Sequence, residues 1–230
     1  MKTLMLPGQS AAPEGPVDMS KMYVMHHAFR RDLQAFATAV PRTPLGDVVT
    51  WRALLRRWEL FADFLHHHHQ GEDTRLWPAL IERADADELA TLQAMEAEHD
   101  EIGPLLSGCA SCLGKLAEAT ATADERAALS VRLVAARESL GRHLAHEETD
   151  AIRIIQRHFT QADWEAIDAH FTDGIAPRRL FALVPWALHQ LPAAALQEVV
   201  RSARLPQRLV WRLTRGRFER LDARAFRHAS

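Results

Sequence analysis

A histidine and a glutamate stand four residues apart in FLHHHHQGEDTRLWPAL, as His68 and Glu72, and the spacing recurs in GRHLAHEETDAI as His143 and Glu147. Residues four apart on an α-helix share one face, so each pair offers an imidazole and a carboxylate in the same direction. Two such pairs, with isolated histidines upstream and between them, have the look of a two-metal ligand set. They restrict the chain to folds that bring several helices around one polar centre.

Composition narrows the field further. With 230 residues, 47% hydrophobic, 25% charged and ten glycines, the chain reads as a helix-rich globular protein of one main domain and an appendage. A formal charge of −2 gives no electrostatic reason to expect a nucleic-acid partner. Two cysteines make no disulfide framework, and Leu4, Met5 and Leu6 before Pro7 are too few for a signal-peptide core. No apolar run approaches membrane-spanning length, so a reducing cytoplasm is the expected setting.

Residues 1–18, rich in Pro, Gly and Ser, are expected to form a mobile N-terminal tail. Four long helical patterns follow in 19–159. The first runs from about Met19 to Val40 and stops at Pro41 and Pro44. The second runs from about Asp47 and bends or ends at Pro78. The third starts after ADADEL and reaches about Ala119 with a kink at Pro104, and the fourth spans about Asp124 to Phe159. Short connections between long amphipathic helices predict an all-α, up-down-up-down four-helix bundle.

Helical periodicity sorts the thirteen histidines. In the second helix Leu54, Trp58, Phe61, Leu65, His68, Glu72, Leu76 and Ala79 follow one apolar stripe. The rival pair His69 and Asp73 continues His66, Ala62 and Asp63 and is expected to face water. In the fourth helix Leu129, Leu133, Ala136, Leu140, His143 and Glu147 make the stripe, whereas His146 and Asp150 continue Arg132, Ser139 and Arg142. His99 lines up with Leu92, Met95, Ile102, Leu106, Cys109 and Leu113. In the first helix His26 joins Met19, Met22, Phe29, Leu33, Phe36 and Val40, and His27 falls beside Arg31 and Gln34.

One histidine among apolar residues is commonly a satisfied core residue. Six ionisable groups are another matter, because a buried carboxylate costs several kcal/mol unless it is protonated or meets a cation. No lysine or arginine lies on these stripes. Metal coordination resolves the conflict, and imidazole with carboxylate and no inward thiolate suits iron, manganese or zinc.

The segments MHHAFRRDL, HHHHQGEDTRLWPAL, EAEHDEI and GRHLAHEETDAI together resemble the His, HxxxE, His, HxxxE pattern of the hemerythrin-like, or HHE cation-binding, proteins in their actinobacterial form. The resemblance covers about Met19 to Phe159 and implies that family's four-helix bundle. It also implies that Glu72 and Glu147 bridge two irons, with His26 and His68 on one and His99 and His143 on the other. An oxo or hydroxo group would complete the bridge, and zinc or manganese would accept the same ligands.

One departure from the family pattern bears on chemistry. The oxygen-carrying hemerythrins have a further histidine four residues beyond the position of His99, and here Gly103 and then Pro104 stand there. Each iron would then reach about five ligands rather than six, leaving both with an open position. Two open positions favour a small oxidant bound across both metals, such as hydrogen peroxide, nitric oxide or dioxygen, over reversible oxygen carriage.

Other features are weaker. Tyr23 reads as a packing residue, with a hydrogen bond near the metals or quenching of an oxidising intermediate as the alternative. The run His66 to His69 offers surface metal binding during delivery as an alternative, but a solvated histidine cluster binds metal promiscuously without a designed purpose. Cys109 and Cys112 form C-x-x-C within a helix, which is not the context of a redox disulfide.

In residues 160–230 lysine vanishes and arginines accumulate at 201, 204, 208, 212, 215, 217 and 220, while prolines at 177, 185, 192 and 206 cut short helices. This arginine-rich extension, with Trp164, Trp186 and Trp211 to bury, is expected to pack on the bundle or on a second subunit of a homodimer. Alternatively Leu205 to Phe218 forms a basic amphipathic segment for an anionic membrane or a partner. Two functional classes remain: a diiron enzyme that consumes peroxide or nitric oxide, and a module that senses oxygen or iron, or stores iron, without turnover.

Overall fold

A computed structural model describes residues 4–172 and 177–229 of the chain. Among the described residues every regular element is helical, and the core is a ring of four long helices. Helix α1 (Ser20–Ala39) ends in a 3₁₀ turn, Val40–Arg42, where Pro41 removes the next backbone donor. Helix α2 (Val48–Gly71) begins at Asp47, whose carboxylate accepts from the Thr50 N–H, and continues through a π turn, Glu72–Leu76, into α3 (Trp77–Ile81). Helix α4 (Ala86–Ala117) opens inside the ADADEL segment rather than after it, because Asp85 and Glu88 form a reciprocal capping box. Thr122 and Glu125 do the same for α5 (Ala123–His146), which passes through a second π turn, Glu147–Ala151, into α6 (Ile152–His158).

Helices α1, α2, α4 and α5 pack in sequence, each on the next, and α5 closes the ring on α1. Their facing sides bury Phe29, Leu33 and Phe36; Leu54, Trp58, Phe61 and Leu65; Leu92, Met95 and Ile102; and Leu129, Leu133 and Leu140. These are the apolar stripes read from the sequence, and the bundle fold follows from them. The stripe of the second helix departs at its end: Leu80 is fully buried and Ala79 is not. The π turn inserts one extra residue, so the helical phase slips forward and Trp77 and Leu80 take up the inward positions. Pro78, which has no N–H to give, follows directly where the ladder is already broken.

Residues 4–18 lie along the bundle. Leu6 and Val17 are buried, the Ser10 N–H donates to Glu148 at 2.7 Å, and the Val17 N–H donates to Gln156 at 2.9 Å. After α7 (Gln161–Thr172), helices α8 (Pro177–Leu188), α9 (Ala193–Ser202) and α10 (Leu205–Ala225) follow, with α8 and α10 packed on each other and on α1 and α2.

That packing is sealed by a buried charge cluster. Asp32 of α1 accepts from Arg57 of α2 at 2.8 Å, from Arg31 at 2.7 Å and from the Trp186 indole at 2.7 Å. Arg57 also donates to Asp222 of α10 at 3.2 Å, and Asp222 meets His189 at 3.0 Å. Phe218 lies under the Arg57 guanidinium at 4.7 Å. The extension therefore docks through Trp186, His189, Asp222 and Phe218, and the cations of this contact, Arg31 and Arg57, come from the bundle.

Candidate metal centre

All six side chains singled out by the stripes converge at one end of the bundle: His26 from α1, His68 from the last turn of α2, His99 from α4, His143 from α5, and Glu72 and Glu147 at the first positions of the two π turns. Glu72, Glu147 and His26 have no solvent exposure. His26 Nε2 is 3.1 Å from Glu147 Oε2, and His68 Nε2 is 3.1 Å from Glu72 Oε1. On the other side His99 Nε2 lies 3.6 Å from Glu72 Oε2, and His143 Nε2 lies 4.0 Å from Glu147 Oε2. Each glutamate thus faces both halves of the centre.

A seventh side chain joins them. His69, expected to face water, is only 8% exposed, and its ring stacks on His99 at 3.8 Å with an interplanar angle of 8°. Two groups of donor atoms form, each within 4.8 Å: His26, His68, Glu72 and Glu147; and His69, Glu72, His99 and His143. The single-stripe reading failed because the inner face of a bundle helix spans 100° or more. At the end of α2 that face meets α1 through His68 and α4 through His69. The signal was present, since Leu65, His69, Glu72 and Leu76 also step by four, three and four. His69 adds an imidazole to the half of the centre where Gly103 supplies none.

The outer nitrogens are held by carboxylates. His26 Nδ1 meets Glu148 at 3.0 Å, His99 Nδ1 meets Asp73 at 2.8 Å, and His143 Nδ1 meets Glu98 at 2.8 Å. Such contacts fix the ring and direct Nε2 inward, as the outer partners of metal-binding histidines do. Arg30 grips Glu148 through two hydrogen bonds of 2.6 and 2.9 Å, and His146 shares Glu98 at 2.8 Å. None of these three carboxylates was found from the sequence. Glu148 had a readable signal in the buried series Leu144, Glu148 and Ile152.

His27 is also buried rather than solvated, yet it belongs to neither donor group. Backbone groups of Pro7 and Gln190 lie against it, so the segments flanking the bundle cover it. His146 and Asp150 remain partly exposed as expected. Cys109 is buried and its thiol is pushed up to about 12, which keeps it out of thiolate chemistry. The Tyr23 hydroxyl is buried without a hydrogen bond, and burial with the nearby Glu148 and Glu147 charges pushes its ionisation up.

The electrostatics state what the centre lacks. The oxygens of Glu72 and of Glu147 are buried with only imidazoles beside them, and His69 Nε2 is buried without a hydrogen bond. Among the described residues no lysine or arginine forms an ion pair with either glutamate. Burial and the neighbouring Glu147 charge hold the Glu72 carboxyl well above the usual carboxylate range. Burial would raise Glu147 too, but His26 overrides it and holds it down at about 2. Burial alone would lower His26, and Glu147 reverses the effect, bringing it up to about 9. Burial keeps His68, His69 and His143 neutral, which is the form that binds metal. Five imidazoles and two carboxylates without a thiolate fit a divalent transition metal, and cations there would satisfy the orphaned oxygens. This is a metal-binding module.

A family model described as the hemerythrin HHE cation binding domain matches residues 17–155. Searches of curated proteins and of solved structures each found no match.

Proposed function

The chain belongs to the hemerythrin HHE cation-binding family, and from that premise we propose that its centre holds two iron ions and takes up one small oxidant: dioxygen, hydrogen peroxide or nitric oxide. The observation that carries this reading is a pair of buried donor groups side by side: His26, His68, Glu72 and Glu147, and His69, Glu72, His99 and His143. Glu72 belongs to both groups, and the second group has three imidazoles where the first has two. Four protein donors on a side would leave a bound ion room for a small incoming ligand, which supports uptake of an oxidant at this centre. Iron bound there supplies a Lewis-acidic, redox-active centre.

The protein's own part is positional. Glu148, Asp73 and Glu98 hold the protons on Nδ1 of His26, His99 and His143 and so keep Nε2 available. Glu72 and Glu147 span the two halves and neutralise their charge. Phe29, whose ring centroid lies 5.2 Å from that of His68, puts an apolar wall beside the His26 and His68 half and excludes water there.

Protein purified without a histidine tag and loaded with ferrous iron under nitrogen is expected to carry two irons per chain. It should bind one azide or nitric oxide per iron pair. Replacing His69 with Ala is expected to lower the iron content, whereas His66→Ala, on the exposed side, leaves it unchanged. A stoichiometry of one metal per chain, or iron content unaffected by His69→Ala, would overturn the reading. Peroxide consumption by the loaded protein, set against His68→Ala and Glu147→Ala, then separates turnover from sensing or storage.

A further inference from the structure

The first half of α10 carries a feature with no role in the metal centre. Its sequence, RLPQRLVWRLTR, repeats an Arg-Leu dipeptide every four residues at 204–205, 208–209 and 212–213. Four-residue spacing sets the leucines in one row along the helix and the arginines in a second row beside it. Both rows face outward: Leu205, Leu209 and Leu213 are 66%, 51% and 81% exposed, and the three arginines are exposed with them. The opposite side of the helix is the one that packs, burying Phe218 and half-burying Val210 and Trp211. Between Arg201 and Phe218 there are six arginines and no acidic residue, and among the described residues only Arg201 of these six has an ion pair, with Glu198.

We propose that this outward face of α10 rests on an anionic phospholipid surface, with the leucines at the level of the acyl chains and the arginines among the headgroup phosphates. The match is one of charge and hydrophobicity together. A basic helix with an apolar row lies in the interfacial plane, and arginine reaches upward along its aliphatic stem while its head stays with the phosphates. A second copy of the chain is a poor occupant, since isologous pairing would set arginine rows against each other with no acid between them. A nucleic acid would satisfy the arginines but leave the leucines in water. No helix among the described residues is long and apolar enough to cross a membrane, so the contact is peripheral.

The test is sedimentation of the full chain with vesicles of phosphatidylglycerol or of phosphatidylcholine at low and moderate salt. Binding is expected to phosphatidylglycerol alone and to weaken as salt is raised. Converting Arg204, Arg208 and Arg212 to Gln should weaken it about 100-fold, about fivefold for each arginine. Converting Leu205, Leu209 and Leu213 to Gln should weaken it by about tenfold or more. Thermal unfolding and metal content should not change in either variant, so the result stands apart from the metal reading. Absence of vesicle binding, equal binding to phosphatidylcholine, full binding by the leucine variant, or equal displacement by soluble polyglutamate would each overturn the proposal.

Discussion

Two clusters of polar side chains lie inside this bundle, and they are satisfied in opposite ways. Around Asp32 every major charge has a partner: two arginines and an indole N–H converge on one carboxylate, and Asp222 and His189 close the far side. Around Glu72 and Glu147 the carboxylates meet only imidazoles, and His99 Nε2 and His143 Nε2 face each other at 3.1 Å. Asp32 and Arg57 are as deeply buried as Glu72 and Glu147, so burial does not separate a structural ion-pair network from a ligand site. Completeness does. In the first cluster arginines meet the carboxylate; in the second, among the described residues, Glu147 has only the His26 and His143 imidazoles and Glu72 no arginine or lysine, so entering cations would complete it.

The sharpest way to break this contrast is Asp32→Ala. It strands Arg57 in the core and is expected to cost about 3–5 kcal/mol in chemical unfolding, by the same amount with and without metal. Next comes Glu98→Gln, which loosens the hold on His143. It should weaken metal binding about 10–100-fold, measured by competition with a chelator, and leave the metal-free chain within about 0.5 kcal/mol.

Glu72→Gln should do the reverse of Asp32→Ala: it destroys metal binding, yet stabilises the metal-free chain by about 1–2 kcal/mol at neutral pH. The sign follows from linkage. Glu72 is raised in the fold, so its penalty is absent below its ordinary value of 4.5 and grows as pH rises above it. Burial would also raise Asp32, but Arg57 and Arg31 lower it, so its contribution is present above 3.8 and is lost as pH falls through its depressed value. Unfolding of the metal-free chain across pH 3–7 should show these opposite slopes. The smallest effect is Tyr23→Phe, which removes a hydroxyl without a hydrogen bond and should change stability by no more than about 0.5 kcal/mol. A loss above about 1 kcal/mol would mean that the hydroxyl is satisfied.

Much of the fold was legible because a four-helix bundle writes its core as periodic stripes, and the lines through Phe29, Leu65, Met95 and Leu140 are buried as read except at Ala79 and Leu106. Six of the seven donors lay on those stripes. His69 did not, because the reading used one line per helix where the helix turns two lines inward toward different neighbours. Asp32 and Arg57 were missed for a different reason. Their partners Trp186 and Asp222 lie more than a hundred residues away, and no local pattern announces a pairing between a bundle helix and a later appendage. The slip from Ala79 to Leu80 was hidden as well, since periodicity assumes an uninterrupted α-helical phase.

That interruption has a structural result of its own. Because each π turn carries a surplus residue at the point where a donor glutamate stands, the rungs before it and the plug after it, Trp77 and Leu80 on one helix, Ile152 and Ile155 on the other, are indexed independently. Trimming one residue from either turn would rotate everything downstream by about 100°. The bundle's closed end and its donor end would then no longer be oriented correctly at once.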